Sequence, residues 1–353
     1  MDFHIAHKEW GTRPVDQRFQ SLADLEVAVT SRRDLSREVV LATEALKLIP
    51  TEHNGIEIQG SGGAILSNWS FGQAAALGGA PAGFLRELPA PLAADVLNYK
   101  LARAERKNVS VLVGADPSGG HATARAFTSE RYGRIWDADV VRLVRDVVDG
   151  TSWKPPLGYE GGRWGAPLVP SGLYASDRDS FIFMVDETRP IEHGRDVLHR
   201  GFIVRNSEVG AATFEFLAFL YRTVCGNNII HGGQSIGEFK VKHLGNAWSR
   251  AHIVRPALAD YVASDPGSEL LLIDHAKSKS VGSDDSEVGQ WLKAKGFTKA
   301  EVTGAIDKTH REENGPENLW AVVQGLTAYA RERAHTDERV NLERRAGALL
   351  GAN

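Results

Sequence analysis

The sequence predicts an α+β protein in which a largely antiparallel central sheet is flanked by N-terminal helices and a helical C-terminal region. Short runs rich in β-branched and aromatic residues follow one another through the middle of the chain, too closely spaced for a helix between most of them. Apolar residues at helical spacing dominate before and after these runs. The length of 353 residues and the hydrophobic share of 42% allow one large or two smaller domains with a buried core.

The N-terminal part is predicted to begin with helices. Ser21 is placed to cap a helix over residues 21–30, with Asp24 at the capping-box position. Ser70 is placed to cap a second helix that ends at Leu77. A third helix is expected to end near Arg106, because apolar residues recur at helical spacing before it.

The central part is predicted to be mostly strands. Asp137 is placed to cap one helix with a valine-rich apolar stripe. The long apolar run at 211–230 fits either a strand or a buried helix. The predicted strands are 108–114, 122–129, 180–186, 200–206 and 238–243.

The chain is predicted to be helical from Asn246 onward. Thr298 and Glu301 form a capping box, and Pro316 is expected at the start of a further helix. A loop rich in glycine, proline and tryptophan at 150–170 is a candidate boundary. Three regions follow, which together can form one continuous domain. They are an N-terminal α/β region with a hairpin and a helix (1–150), a central β-rich region (168–245) and a helical C-terminal region (246–353).

Charge and cysteine content restrict the class of protein. The net charge of −4 argues against a dedicated duplex-DNA-binding domain, although a local basic face is compatible with it. The single cysteine, Cys225, excludes an internal disulfide framework and is expected to be a buried, structural thiol. No apolar run is long enough to span a membrane, so a cytoplasmic protein is expected.

No motif for a cofactor or a metal is found. The glycine-rich strings at 59–64 and 114–122 lack the residues of a phosphate-binding or dinucleotide-binding loop. The twelve histidines are not spaced as metal ligands, and no cysteine pair accompanies them. No cofactor and no metal site are therefore expected.

Three stretches, in order, resemble one known family. They are NWSFGQAAALGGAPAGFLRELPAPLAADVLN (68–98), GFIVRNSEVGAATFEFLAFLYRTVCGNNIIHGG (201–233) and ENLWAVVQGLTAYARERA (317–334). NSEVG (206–210) followed by RTVCGNN (222–228) is the most specific part. Over roughly residues 40–350 the chain resembles the domain of unknown function 932 family, found in phages, prophages and plasmids. The resemblance implies work on nucleic acid or on host defence in a bacterial cell.

SERYGRIW (129–136) carries cations interleaved with aromatic rings. Proteins that bind single strands need this mixture, because cations follow the phosphates and rings stack on bases. The alternative is a strand end whose aromatic side chains pack in the core. The candidate residues are Arg125, Arg131, Tyr132, Arg134 and Trp136.

GEFKVKHLGNAWSRAHIVR (237–255) is strongly basic. Lys240 and Lys242 project to the same face of a strand, and His243 and Arg250 follow. That face is a candidate phosphate-binding surface. Lysines that keep an edge strand from aggregating are an equally good explanation.

Glu238 and Lys240 also form a Glu-x-Lys pair of the kind that metal-dependent nucleases use on a strand. Such a site needs an upstream carboxylate, and Asp177, Asp179 and Asp186 are the candidates. Three residues are a weak match, and chance explains it better.

The leading functional hypothesis is a mobile-element protein that binds nucleic acid, including single-stranded DNA in recombination or annealing. Metal-dependent nuclease activity and a non-catalytic, protein-binding role against host defence are the alternatives. Assembly into a homo-oligomer is also compatible with the sequence.

Overall fold

The computed structural model describes residues 13–60, 63–116, 118–160, 166–194, 196–222, 227–230, 238–332 and 336–351. Cys225 lies outside the described residues, so the expectation of a structural thiol there stays a prediction.

The strands form two large sheets and one short pair. Their bounds are Arg18–Phe19 (β1), Ser36–Ala42 (β2), Leu48–Pro50 (β3), Ile56–Ile58 (β4), Ala64–Leu66 (β5), Asn108–Gly114 (β6), Thr123–Thr128 (β7), Leu157–Tyr159 (β8), Leu168–Pro170 (β9), Leu173–Ala175 (β10), Ser180–His193 (β11), Asp196–Asn206 (β12), Phe214–Arg222 (β13), Asn227–Ile230 (β14) and Glu238–Val241 (β15).

The helices flank these sheets. Their bounds are Leu22–Asp34 (α1), Asn68–Leu77 (α2), Ala82–Arg86 (α3), Ala90–Leu101 (α4), Asp137–Val148 (α5), Ala247–Ala251 (α6), Val254–Ala263 (α7), Gly267–Ser278 (α8), Asp285–Ala294 (α9), Lys299–Glu313 (α10), Leu319–Ala330 (α11) and Thr336–Ala348 (α12).

The N-terminal sheet has the strand order β2-β6-β7-β5-β4-β3. Its pairs are antiparallel except β5 with β7, which run parallel. Helices α2 to α4 supply the alanines and leucines that pack on it, among them Ala74, Ala94 and Leu97. This sheet therefore has a core of its own.

The central sheet has the order β1-β10-β11-β12-β13-β14, and β15 also pairs with β13. All of these described pairs are antiparallel. Alternate residues on one face, such as Met184 and Phe202, pack in a core shared with α1, α5 and α7. Residues on the other face, such as Phe183 and Phe219, form a second buried cluster. Both faces are thus buried, which explains the nearly continuous apolar runs of these strands.

The C-terminal helices α8 to α12 form a third core. Their apolar side chains pack with Ile191, Leu198 and Leu220 from one end of the central sheet. The prediction of a helical C-terminal region is confirmed.

The predicted α+β class, with large antiparallel sheets, is confirmed. The prediction that strands 108–114 and 122–129 belong to the central sheet is wrong, because they pair instead within the N-terminal sheet. The N-terminal part therefore contains strands as well as helices. The division into regions 1–150, 168–245 and 246–353 stays a prediction.

Two of the predicted helix caps are confirmed. The Ser21 side chain accepts a hydrogen bond from the Asp24 backbone nitrogen, and Thr298 and Glu301 form a complete capping box. The apolar run at 211–230, which fitted a strand or a helix, contains strand β13.

Four helix boundaries differ from the predictions. Ser67, rather than Ser70, caps α2, and Asp137 lies inside α5 after Trp136. Asn318, rather than Pro316, precedes α11, because its side chain accepts from the Ala321 backbone nitrogen. The third N-terminal helix ends at Leu101 rather than near Arg106.

Within the described residues, no helix combines the length and apolar character needed to cross a bilayer.

Candidate nucleic-acid interface

The NSEVG segment, residues 206–210, lies between the two large sheets. It begins at Asn206, the last residue of β12, and its first four residues are buried. Val209 packs against Leu112 and Ala126 of the N-terminal sheet. Its carbonyl oxygen accepts hydrogen bonds from Trp69 Nε1 at 3.0 Å and Gln73 Nε2 at 2.8 Å. The segment therefore fixes the end of the central sheet to the N-terminal sheet.

Glu208 is the ionic centre of this junction. Its Oε2 lies 2.6 Å from Nη2 of Arg125, and both side chains are buried. Its Oε1 accepts the Asp137 backbone N–H at 3.0 Å. Arg125 also donates to Ser36 Oγ at 2.9 Å. Burial lowers the pKa of Arg125, and the Glu208 charge opposes that shift. Arg125 is thus an internal cation, and the structure does not place it on a nucleic-acid-binding surface.

Asp137 is a second buried carboxylate beside Glu208. Its Oδ1 accepts hydrogen bonds from Ser180 Oγ at 2.6 Å and Asn206 Nδ2 at 2.7 Å. Burial raises the pKa of Asp137 to about 6, and the negative charge of Glu208 adds to this shift. Asp137, Glu208 and Arg125 form one buried network that joins α5, β7 and the end of β12.

The cations and rings of SERYGRIW interleave with one another. The Arg134 guanidinium lies 5.2 Å from the Tyr132 ring and 5.5 Å from the Trp136 ring. The Arg33 guanidinium also lies over the Trp136 ring, at 5.4 Å. Tyr132 stacks on His243 with 5.2 Å between ring centroids and 5° between planes. This arrangement, the ladder, consists of His243, Tyr132, Arg134, Trp136 and Arg33.

Other contacts hold the ladder in place. Arg134 Nε bonds Glu38 Oε1 at 2.5 Å, and its Nη1 bonds the Glu208 carbonyl oxygen. Tyr132 donates its hydroxyl hydrogen to the Ser207 carbonyl oxygen at 3.0 Å. Burial lowers the pKa of His243 to about 4, so its ring is neutral at physiological pH. Tyr132, Arg134 and His243 are therefore held by contacts within the protein.

The two basic segments found in the sequence meet in the structure. Gly245 N donates to Arg131 O at 2.9 Å, and Gly133 N donates to His243 O at 3.2 Å. Tyr132 and Leu244 form an antiparallel bridge between these contacts. A Cβ on Gly133 would lie 2.0 Å from Gly245 O, so this close approach requires glycine.

The remaining predicted cations are exposed around this crossing. Lys240 and Lys242 are exposed. Val241, which lies between them, and His243, which follows Lys242, are buried. Arg250 Nη2 donates to the Lys242 carbonyl oxygen at 3.1 Å, which keeps α6 beside this strand end. We call the exposed side chains of this region the basic surface: Arg131, Lys240, Lys242, Arg250 and Arg255.

Most of the basic surface lies in a stretch without acidic residues, whereas Arg131 follows the exposed Glu130. No aspartate or glutamate occurs between Phe239 and Ala259, although the whole chain has a net charge of −4. Glu215 is the acidic neighbour of Lys240, with 3.5 Å between Oε1 and Nζ. That carboxylate is mostly buried and also pairs with Arg344 at 2.6 Å. The stretch 239–259 therefore carries a net positive charge, which favours contact with polyanions.

Sequence reasoning missed the apolar component of this surface. Trp248 is half-buried and meets the His252 ring edge-on at 5.5 Å. Leu244 and Ile253 are exposed nearby, at 52% and 66%. The signal in the sequence was the string AWSRAHIVR, in which the tryptophan stands among cations. Trp248 also packs against the central core, so only part of its ring faces solvent.

The residues of the nuclease hypothesis occupy separate strands and turns. Glu238 pairs with Leu217 of β13, and β15 is three strands from β11, a distance of about 14 Å across a sheet. Asp179 accepts from Arg13 and Ser176 at the start of β11. Asp186 is buried and holds Ser152, Thr188 and Arg189. Asp177 is exposed in the turn. In the described part of the chain, no three His, Cys, Asp or Glu residues form a group that could hold a metal.

One family model covers the centre of the chain. Residues 126–266 match the model described as Domain of unknown function (DUF932). Over these residues the chain is similar to that family. This confirms the family resemblance over a shorter stretch than residues 40–350. The matched residues include the NSEVG segment, the whole basic surface and every member of the ladder except Arg33.

No curated protein and no solved structure is significantly similar to the chain. The DUF932 description itself assigns no activity. The functional proposal therefore depends on the geometry of the site.

Proposed function

We propose that this chain binds single-stranded nucleic acid on the basic surface, as a non-catalytic DNA-binding protein of recombination or annealing. The observation that carries the proposal is the backbone pairing of residues 131–133 with residues 243–245 through an antiparallel bridge and two hydrogen bonds. It brings Arg131 next to Lys242 and Arg250, so cations that are far apart in the sequence share one region of the surface.

The chemistry of this surface suits a single strand. Exposed lysines and arginines neutralise phosphates without reading sequence. Trp248 and the exposed Leu244 and Ile253 offer contacts to bases, which a duplex keeps stacked inside. The acidic remainder of the protein restricts binding to this region. A role in a phage or plasmid and a cytoplasmic location belong to the same proposal.

The test is a salt titration of binding to a fluorescent mixed-sequence single strand, followed by anisotropy. We expect Lys240→Ala/Lys242→Ala to weaken binding for all sequences alike. The slope of log affinity against log salt should fall by about 0.7 for each phosphate that is no longer neutralised. Arg344 still pairs with Glu215 in this variant, so the fold should be retained.

The matched control is Lys293→Ala/Lys299→Ala, which removes two exposed cations from the C-terminal helices. It should bind like the parent protein. Equal weakening by both variants would mean that the loss of two positive charges, wherever they lie, explains the effect. No binding by the parent protein would refute the proposal. Cleavage of the strand in Mg²⁺ would favour the nuclease alternative.

A further inference from the structure

A cleft of about 860 Å³ opens on the N-terminal sheet. Its walls are the C-terminal end of α2, the segment after α4 and one residue of β7. Residues that line it include Gln73, Ala76, Gly79, Arg103, Arg106 and Phe127. Its volume is in the range of pockets that hold small molecules or single nucleotides.

The cleft has a rigid wall. Gln73 Oε1 accepts the Phe127 backbone N–H at 2.9 Å, while its Nε2 donates to Val209 O at 2.8 Å. The Gln73 amide thus bridges the N-terminal sheet and the NSEVG segment. A Cβ placed on Gly210 would lie 3.6 Å from Tyr132 and 3.7 Å from Gln73, so the cleft adjoins the ladder.

Two arginines also line the cleft, and one of them lies over an aromatic ring outside it. Arg103 and Arg106 are exposed, with Glu105 as the acidic residue between them. The Arg103 guanidinium lies 3.9 Å from the ring centroid of Tyr99, which is 59% exposed. A guanidinium over a ring is a flat platform that can stack on a base while its charge attracts a phosphate.

The chain links the cleft to the segment that carries Arg131. Lys107 is exposed directly after Arg106, and Asn108 Nδ2 donates to Glu130 Oε2 at 3.2 Å. Glu130 precedes Arg131 in the chain. The exposed cations Arg103, Arg106, Lys107 and Arg131 therefore lie on neighbouring segments, with Glu105 and Glu130 among them.

We infer that this cleft is a nucleotide subsite, which takes one unstacked nucleotide of the strand that the basic surface binds. The inference rests on the proposed function and extends it to a defined path. Arg103 and Arg106 hold phosphates, and the base enters between the Gln73 wall and the Arg103 platform. A strand that occupies both regions crosses from the central sheet to the N-terminal sheet.

The steric test is Ala76→Trp, because Ala76 is exposed on α2 and lines the cleft without charge. We expect it to weaken binding of an oligothymidylate about fivefold or more, the lower end of the loss for one stacked base. Ala294→Trp, at an exposed alanine of α9, is the matched control and should leave affinity unchanged.

The electrostatic test is Arg103→Ala/Arg106→Ala in the same anisotropy assay. It should lower the salt slope by about 0.7 for each phosphate that these arginines neutralise, additively with Lys240→Ala/Lys242→Ala. Parental affinity in Ala76→Trp, with weakened binding in Lys240→Ala/Lys242→Ala, would overturn the subsite and leave the proposed function intact. No binding by the parent would overturn both.

Discussion

Asp137 and His243 are buried groups whose pKa values are shifted in opposite directions. Burial raises the pKa of Asp137 to about 6 and lowers that of His243 to about 4. In each case the folded protein favours the neutral form. Between roughly pH 4 and 6.5, folding therefore takes up a proton at Asp137 and releases one at His243. The two effects on stability oppose each other as the pH falls.

Replacing Asp137 should reveal one of these effects. The ionised carboxylate destabilises the folded state above about pH 6, and this cost disappears as the pH falls towards the unfolded pKa. Asp137→Asn keeps an oxygen that can accept from Ser180 and Asn206. We expect the free energy of unfolding of Asp137→Asn, relative to the parent, to be higher at pH 7.5 than at pH 5. Urea unfolding at both pH values measures it, and a constant difference would contradict the assignment.

Replacing His243 should reveal the other effect. Neutral His243 contributes stability that is complete above the unfolded pKa of about 6.5 and is lost as the pH falls towards 4. His243→Phe keeps a ring against Tyr132 and cannot be protonated. Relative to the parent, it should gain roughly 2 kcal/mol between pH 7.5 and pH 5, at about 1.4 kcal/mol per unit below 6.5. The same urea series tests it, and parallel curves would count against a buried neutral histidine.

Helices α10 and α11 pack closely because each carries a glycine that faces the other helix. A Cβ on Gly304 would lie 2.3 Å from the ring of Tyr329, and one on Gly325 would lie 2.4 Å from Ala305 O. The second contact is with backbone, which cannot rotate away. These positions set the distance between the two helices.

A substitution at Gly325 should therefore behave unlike an ordinary helical glycine. Gly325→Ala should destabilise the protein by about 1–3 kcal/mol, as overpacking does in a dense core. Gly83→Ala, in α3 with open space around it, should instead stabilise by up to about 1 kcal/mol. Thermal unfolding of both variants decides the matter. A stabilised Gly325→Ala would mean that the helices separate easily.

The sequence predicted an element correctly where contacts between residues close together in the chain determine it. The Thr298–Glu301 capping box is an example, since both partners lie within one turn. Strand β13 was ambiguous because both of its faces are buried, so polar residues do not alternate along it. Asp137 was predicted as a cap because its type suits that role, but its side chain bonds Ser180 and Asn206, which lie far away in the sequence.

At the scale of the whole molecule, the Arg125–Glu208 pair joins the two large sheets. Glu208→Ala would leave Arg125 buried without its counter-charge, which costs about 3–5 kcal/mol. The control is Asp307→Ala, which removes the exposed pair with Arg311 and should cost at most about 0.5 kcal/mol. Urea unfolding of both variants tests this difference. Equal, small effects would show that the pair does not hold the sheets together.

The candidate site was predicted only in part, because the sequence does not show which cations are buried. Lys240, Lys242 and Arg250 lie on the surface, as their segment indicated. Arg125 and Arg134 have side chains of the same charge but are held by Glu208 and Glu38, which are distant in the sequence. The separation into two sheets depends on long-range pairing as well, such as β2 with β6.

The position of Arg125 also bears on where a stable fragment can be cut. The family match begins at Ala126, in the middle of β7 and directly after the cation that neutralises Glu208. A protein expressed from residues 126–266 alone would lose β6, the neighbour of β7, and would bury an unpaired carboxylate. It would also lack β1 and most of the N-terminal sheet that covers Val209. The matched stretch is therefore a unit of sequence similarity rather than a unit that folds independently, and truncations should retain the strands from Arg18 onward.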